Sequence, residues 1–270
     1  MEKLFIIILL NFSVLINLSA QTGADSSEGL DMKIFHLINN SRTPTLDKII
    51  SVTDKSIFFT SAVVPPALFA VSRMNEHYYD ENTSVLLGTS EVISYGVTYT
   101  LKRVLKRTRP FGEHRDVNHS QADDFGIDNY SFPSGHSTVA FAFATSLSLR
   151  YNDKPLLIAG LYTYSSLIAV GRVYLGVHYP SDVVGGMIVG AGTSILVNSL
   201  RKDIIKIKNN IFNEKDRPDS NSKNIISPLV LLSFISTDII NSFLTEKNKP
   251  VKVNLNFNGS ESYISLRCAL

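Results

Sequence analysis

The chain has 270 residues, of which 44% are hydrophobic and 19% charged, with a formal net charge of +2 and one cysteine, Cys268. That length holds one sizeable domain with a small appendage, and the near-balanced charge points away from a general nucleic-acid binder and from an acidic disordered chain. A lone cysteine excludes an intramolecular disulfide, and its place near the C-terminus indicates no thiol chemistry.

Residues 1–20 place Lys3 before an apolar run over 4–16 and end on Leu18-Ser19-Ala20, followed by Gln21. This is the pattern of an export signal peptide cut after Ala20, with an uncleaved anchor as the alternative. The stretches 31–40 and 46–52 have the spacing of short amphipathic helices interrupted by Pro44. Five stretches with few or no charges follow at 57–71, 84–101, 138–149, 156–171 and 183–200, and each reads as a helix. Pro65-Pro66 is expected to kink or break the first.

At roughly 12 to 18 residues, these helices fall at or below the lower edge of the ~20 that a bilayer span needs. However, 156–171 and 183–200 contain no charged residue, so they are either buried all round or lie in lipid. Small residues across 183–192 would permit close helix packing. The membrane-embedded reading is preferred, and a soluble one stays open.

The stretch 201–224 carries seven Lys or Arg and four acids and reads as a solvated linker. On the membrane reading it falls on the cytoplasmic side, as the positive-inside tendency expects. Beyond it, 225–244 is apolar but broken by Pro228 and Asp238, and 251–257 with 262–266 around Asn258-Gly259 resembles a short C-terminal β-hairpin. The expected organisation is therefore a signal peptide at 1–20, a helical domain at 21–200, a linker at 201–224 and a tail at 225–270.

Three polar clusters sit at helix ends, where backbone groups are unpaired. In the first, Lys102 and Arg109 are seven apart, which on a helix puts them on one face roughly 10 Å apart, a pair of cations suited to an oxyanion. Pro110 should stop that helix, and a basic interfacial collar is the plainer explanation. The second, Pro133-Ser134-Gly135-His136, precedes an apolar helix whose free N–H groups could seat a phosphate, although Ser134 could simply cap that helix. In the third, Arg172 precedes His178, and Pro180 opens a helix that places Asp182 in its first turn, within reach of His178. A carboxylate on one imidazole nitrogen leaves the other free to attack; the alternative is a helix cap and a packed ring.

Taken together, Lys102-x6-Arg109-Pro110, Pro133-Ser134-Gly135-His136 and Arg172-x5-His178-x3-Asp182 resemble the type-2 phosphatidic acid phosphatase and vanadium haloperoxidase superfamily. The resemblance spans 102–182 and implies an all-α helical bundle over roughly 46–200. It implies that His178 attacks phosphorus, Asp182 orients it, and His136 protonates the leaving oxygen and later activates water. By the same resemblance, Lys102, Arg109 and Arg172 hold the phosphoryl oxygens with help from Ser134 and the Gly135 amide. Neither a metal nor another cofactor is required, since side-chain cations do what Mg²⁺ does elsewhere.

Gly171 departs from the family pattern, which often has Ser there, and the missing hydroxyl is expected to weaken or alter phosphate binding. The implied activity is hydrolysis of a lipid phosphate or diphosphate, in contact with membrane lipids, at an inner membrane with the site facing the periplasm. A soluble periplasmic acid phosphatase is the alternative, and a vanadate-dependent haloperoxidase a more distant one. The loop 111–129, with Glu113, His114, Asp116, His119, Asp123 and Asp124, matches no familiar metal motif and reads as solvated. Glu91 interrupts an apolar helix and is expected to pair with a basic residue, face a cavity or lie on an exposed face. His36 and His77 read as structural or exposed.

Overall fold

The computed structural model describes residues 29–119, 128–217 and 219–220, together with the backbone of 251–258 and 261–268. The expected signal peptide and the apolar stretch 225–244 lie outside the described residues. Eight helices are described: α1 (Leu30–Asn39), α2 (Pro44–Met74), α3 (Tyr78–Leu105), α4 (Pro110–Glu113), α5 (Gly135–Arg150), α6 (Pro155–Tyr174), α7 (Pro180–Ser199) and α8 (Arg201–Ile211). Two strands, β1 (Val251–Asn258) and β2 (Glu261–Cys268), pair antiparallel with Val251 opposite Cys268.

The bundle is built around α5, which α7, α6 and α3 all contact. Nearly every α5 residue is buried, so this helix has no polar face to give to solvent. Glycines let α7 reach it: a Cβ on Gly186 would stand 2.5 Å from the Ser134 carbonyl, and one on Gly190 would strike the Thr138 carbonyl. Two hydroxyls then pin the helix from either side, Ser165 donating to Ala140 O at 2.8 Å and Ser194 to Ala142 O at 2.9 Å. Around these contacts Ile57, Leu87, Phe143, Leu147 and Ile168 form a fully buried core.

Three expectations about helix limits need correction. Pro44 starts α2 instead of separating elements, because Thr43 caps it by accepting from Leu46 N at 3.3 Å and proline suits the first helical turn. The helix then runs unbroken through Pro65 and Pro66. Each proline removes an N–H that could donate, and packing against α3, where Gly88 faces Pro65, holds the helix despite that loss. The stretch 201–224, expected to be a solvated linker, begins instead with α8. This helix is tied to α3 by Lys208 Nζ donating to Glu81 Oε1 at 2.7 Å.

Among the described residues three helices, α2, α6 and α7, are long and apolar enough to cross a membrane. Exposed apolar side chains, among them Phe59, Val92, Tyr95, Val170 and Leu196, surround the bundle. A soluble domain of this size would not expose so many large apolar groups without a partner, and the chain reads as a membrane protein.

Candidate active site

All three sequence clusters meet at one end of the bundle. There α3 finishes, α5 and α7 begin, and α6 ends, around a cavity of about 390 Å³. Lys102, Arg109, Gly135, His136, Arg172 and His178 line it together with Asp128. Six of the eight residues singled out for catalysis or phosphate binding therefore face a common space.

The other two stand behind it. Ser134 is fully buried at the N-cap of α5, where its Oγ accepts from Ser137 Oγ at 3.0 Å. Asp182 is fully buried in the first turn of α7, which Pro180 opens as its position in the sequence suggests.

Local chain geometry explains how each side chain arrives. The helix bearing Lys102 ends at Leu105, and Lys106 adopts a left-handed conformation with φ +49°. Arg109 therefore reaches the cavity from an extended segment, and not from a shared helical face as expected from the seven-residue spacing. At the end of α6, Gly176 takes φ +77°, and a Cβ there would press on Asn118 O at 2.8 Å. That reversal returns His178 N to within 3.3 Å of Arg172 O, so Arg172 and His178 enter the cavity from adjacent turns.

The imidazole of His178 has two distinct sides. Nε2 lies 3.1 Å from Arg109 Nη1 at the cavity, whereas Nδ1 faces inward. Asp182 does approach Nδ1, but at 3.5 Å, and Ser131 intervenes. Ser131 Oγ lies 3.3 Å from Nδ1 and donates to Asp182 Oδ2 at 2.5 Å.

The same carboxylate accepts from Tyr179 N at 2.9 Å and, through Oδ1, from Arg107 Nη1 at 2.8 Å. Arg107 also reaches Asp31 on α1 at 2.9 Å and stacks over the Tyr179 ring. Burial, and then the charges of Arg109, Lys102 and Arg172, hold the His178 pKa well below the ordinary 6.5, which favours the neutral ring.

The cations differ in how far they are satisfied. Lys102 donates to Asp128 Oδ1 at 3.0 Å and also to Tyr130 O, and Arg109 Nη2 donates to the same Asp128 oxygen at 2.9 Å. Burial pushes the Asp128 carboxyl up, but the bond and charge of Lys102 and the charge of Arg109 outweigh it and hold its pKa below the usual range. Arg172 is fully buried and gives Nη1 to Asp54 Oδ2 at 2.5 Å, while its Nε and Nη2 have no hydrogen-bond partner among the described residues. His136 Nε2, 3.5 Å from the same Asp54 oxygen, also has none. Buried donors of this kind, converging on one cavity, are what a multiply charged oxyanion would satisfy.

Asp54, Arg107, Asp128 and Ser131 were not found from the sequence. Ser131 stands two residues before the Pro133-Ser134-Gly135-His136 run, and Arg107 two before Arg109. Proximity to the motifs was their only signal, and Asp54 on α2 had none.

Gly171 does not line the cavity, and a Cβ there would meet Ile50 Cγ2 at 2.9 Å. A serine at this position would not fit without movement. Packing against α2 thus accounts for a residue without a side chain at this position.

Glu91 neither pairs with a base among the described residues nor lines the cavity; its Oε1 is buried without a hydrogen-bond partner. The loop residues are dispersed. Glu113 accepts from Tyr179 Oη at 2.8 Å, His119 stacks on Phe111, and Asp116 pairs with His36, while Asp123 and Asp124 lie outside the described residues.

Comparison with known proteins adds to this geometry. The chain is 31% identical over 169 residues to the Escherichia coli protein YbjG, provisionally assigned as an undecaprenyl-diphosphatase, covering 60% of this chain and 78% of that one. It is 28% identical over 194 residues to the undecaprenyl-diphosphatase of Sulfolobus acidocaldarius, covering 70% and 87% respectively. Among solved structures, Aquifex aeolicus LpxE superposes with a TM-score of 0.51 at 29% identity, over 64% of this chain and 97% of that one. The family model of the PAP2 superfamily matches residues 83–206, which hold every residue of the three motifs. The chain therefore belongs to the PAP2 superfamily and is a phosphatase of that family.

Proposed function

We propose that this protein hydrolyses lipid phosphate or lipid diphosphate esters without a metal, through a phosphohistidine on His178, at the external face of the membrane. The observation that carries the reading is the two-part lining of the cavity. Its floor holds Lys102, Arg109 and Arg172, with donors of Arg172 and His136 unpartnered, and its wall is built from Phe58, Tyr95 and Tyr99 on α2 and α3. Tyr95 and Tyr99 are also exposed on the outside of the bundle, so the wall is continuous with the apolar surface. A phosphorylated headgroup fits the floor, and an acyl or isoprenyl tail can leave past the aromatic rings into lipid.

In this mechanism, His178 Nε2 attacks phosphorus as the bond to the ester or bridging oxygen breaks. The leaving oxygen takes its proton from His136. The three cations and the Gly135 amide stabilise the equatorial oxygens as charge redistributes among them. Asp182, through Ser131, keeps the Nδ1 proton in place and stabilises the cationic ring. Water, activated by His136, then cleaves the N–P bond and releases phosphate. Placement of the site outside is supported by the basic residues of α8, which follow α7 at its far end, roughly 30 Å from Asp182.

The undecaprenyl-diphosphatase relatives support a polyprenyl diphosphate as the first substrate to try. The test is phosphate release in detergent with EDTA, comparing a polyprenyl diphosphate, phosphatidic acid and p-nitrophenyl phosphate. Preference for a lipid together with an acid-labile phosphoenzyme that His178→Ala abolishes is the expected result. Turnover that begins only on adding metal would overturn the mechanism, and equal turnover of all three would overturn the lipid preference.

A further inference from the structure

The far end of the bundle carries a helix whose faces divide three ways. At about 100° per residue, with Leu200 set at zero, Ile204, Ile207 and Ile211 fall within an arc of roughly 60° around the same direction. Ile205, Lys208 and Asn209 point to another side and are buried against the protein. Lys202 and Lys206 lie roughly opposite the isoleucines and are exposed.

The isoleucine stripe is not covered by the described bundle. Ile207 is 59% exposed, Ile211 72% and Leu200 45%. It continues the exposed apolar face at the end of α7, where Leu196 and Ile195 are also uncovered. Because α7 is long and apolar enough to cross a membrane and α8 begins just after it, the stripe emerges where a bilayer would end.

Its neighbour at that level is the C-terminal end of α2. There Met74 is exposed, Phe212 packs on Phe69 with ring centroids 5.6 Å apart, and Arg73 covers Phe212. The helix is held at this height by Lys208, which is paired with Glu81 and spends its charge inside the protein. Among the described residues that follow α7, the lysines left outside are Lys202, Lys206 and Lys215.

We infer that α8 lies in the membrane interface at the end remote from the active site, with its isoleucines in the acyl boundary and its outer lysines against anionic lipid headgroups. The stripe opposite a lysine face is the arrangement that satisfies both apolar and charged side chains at such a boundary. Continuity with the α7 face selects lipid over a protein partner, since one occupant then covers both surfaces. The lysine face selects an anionic headgroup over a zwitterionic one. The inference rests on the bundle spanning the bilayer, and the test separates the two.

A single cysteine is placed at Ile207 in a Cys268→Ser background and labelled with an environment-sensitive fluorophore, with the full chain in nanodiscs. Val92→Cys, on the exposed middle of α3, serves as the reference for lipid contact. The expected result is blue-shifted emission at Ile207, quenched by lipids brominated near the headgroup end of the chain, and quenching at Val92 by lipids brominated deeper. Replacing phosphatidylcholine with phosphatidylglycerol should strengthen the quenching at Ile207, and Lys202→Glu with Lys206→Glu should weaken the phosphatidylglycerol preference at least about fivefold.

Water-like emission at Ile207 with normal quenching at Val92 overturns the inference and leaves the span intact. Blue-shifted emission that brominated lipid cannot quench overturns it in favour of cover by protein, either the tail or a second copy. Lack of quenching at both sites means that the membrane reading itself has failed, and the inference falls with it.

Discussion

Replacing Ser131 with Ala removes the hydroxyl that links His178 Nδ1 to Asp182 and leaves the carboxylate otherwise served. Asp182 keeps Arg107 on Oδ1 at 2.8 Å and Tyr179 N on Oδ2 at 2.9 Å, so no buried charge is orphaned. The ring keeps only a 3.5 Å approach to Asp182 in place of the 3.3 Å contact with the serine. A hydrogen bond in a chain ending on a charged acceptor contributes about 1.5–3 kcal/mol. At ~1.36 kcal/mol per decade, kcat should fall roughly 10- to 150-fold.

The assay is phosphate release in detergent at saturating substrate, with thermal unfolding alongside to exclude a loss of fold. Ser131→Thr, which keeps the hydroxyl, should recover most of the rate, and Ser131→Ala combined with Asp182→Asn should be little worse than Asp182→Asn alone. A kcat within about twofold of wild type for Ser131→Ala, or effects that simply multiply in the double variant, would refute the relay.

Asp128→Asn removes the one carboxylate, among the described residues, that is bonded to both Lys102 and Arg109 and would compete there with phosphate. The carboxylate is half exposed, so the gain is discounted to about 1 kcal/mol, or roughly fivefold tighter competitive inhibition by inorganic phosphate; weaker inhibition would mean that Asp128 instead orients the two cations. Gly171→Ser should lower stability by about 1–3 kcal/mol without improving phosphate affinity, and Ile50→Ala should cost less in that background than in the wild-type chain; tighter phosphate binding by the single variant would contradict the packing account. The acid limb of kcat/KM should lie below pH 6.5, because burial and the surrounding cations depress the His178 pKa. The same shift makes the stability contribution of the neutral ring complete above about pH 6.5, and progressively lost as pH falls toward the folded-state value. An acid limb at or above 6.5 that disappears in His178→Ala would show that the ring is not desolvated as described.

The amino-acid sequence by itself determined the helical class, the apolar stretches and the three clusters at helix ends. All of these are short-range properties. Pro180 places a helix start, Ser134 caps α5, and the spacing from Arg172 through His178 to Asp182 spans one turn and the next helix start.

What the tertiary structure decided are contacts between residues far apart in the chain. Arg107 meets Asp182 across 75 positions and Asp54 meets Arg172 across 118, and no local periodicity encodes such pairs. Pro65-Pro66 marks a break by propensity, yet α2 continues because its packing against α3 and α6 outweighs two missing backbone bonds. Gly171 could be read from the sequence only as a missing hydroxyl, because the direction of a Cβ depends on the neighbouring helix, and here that direction leads to Ile50. The basic stretch after α7 had the composition of a linker. Long-range contacts, among them the pairing of Lys208 with Glu81 on a helix more than a hundred residues earlier and the burial of Ile205, hold its first part as α8 and leave one apolar stripe facing outward.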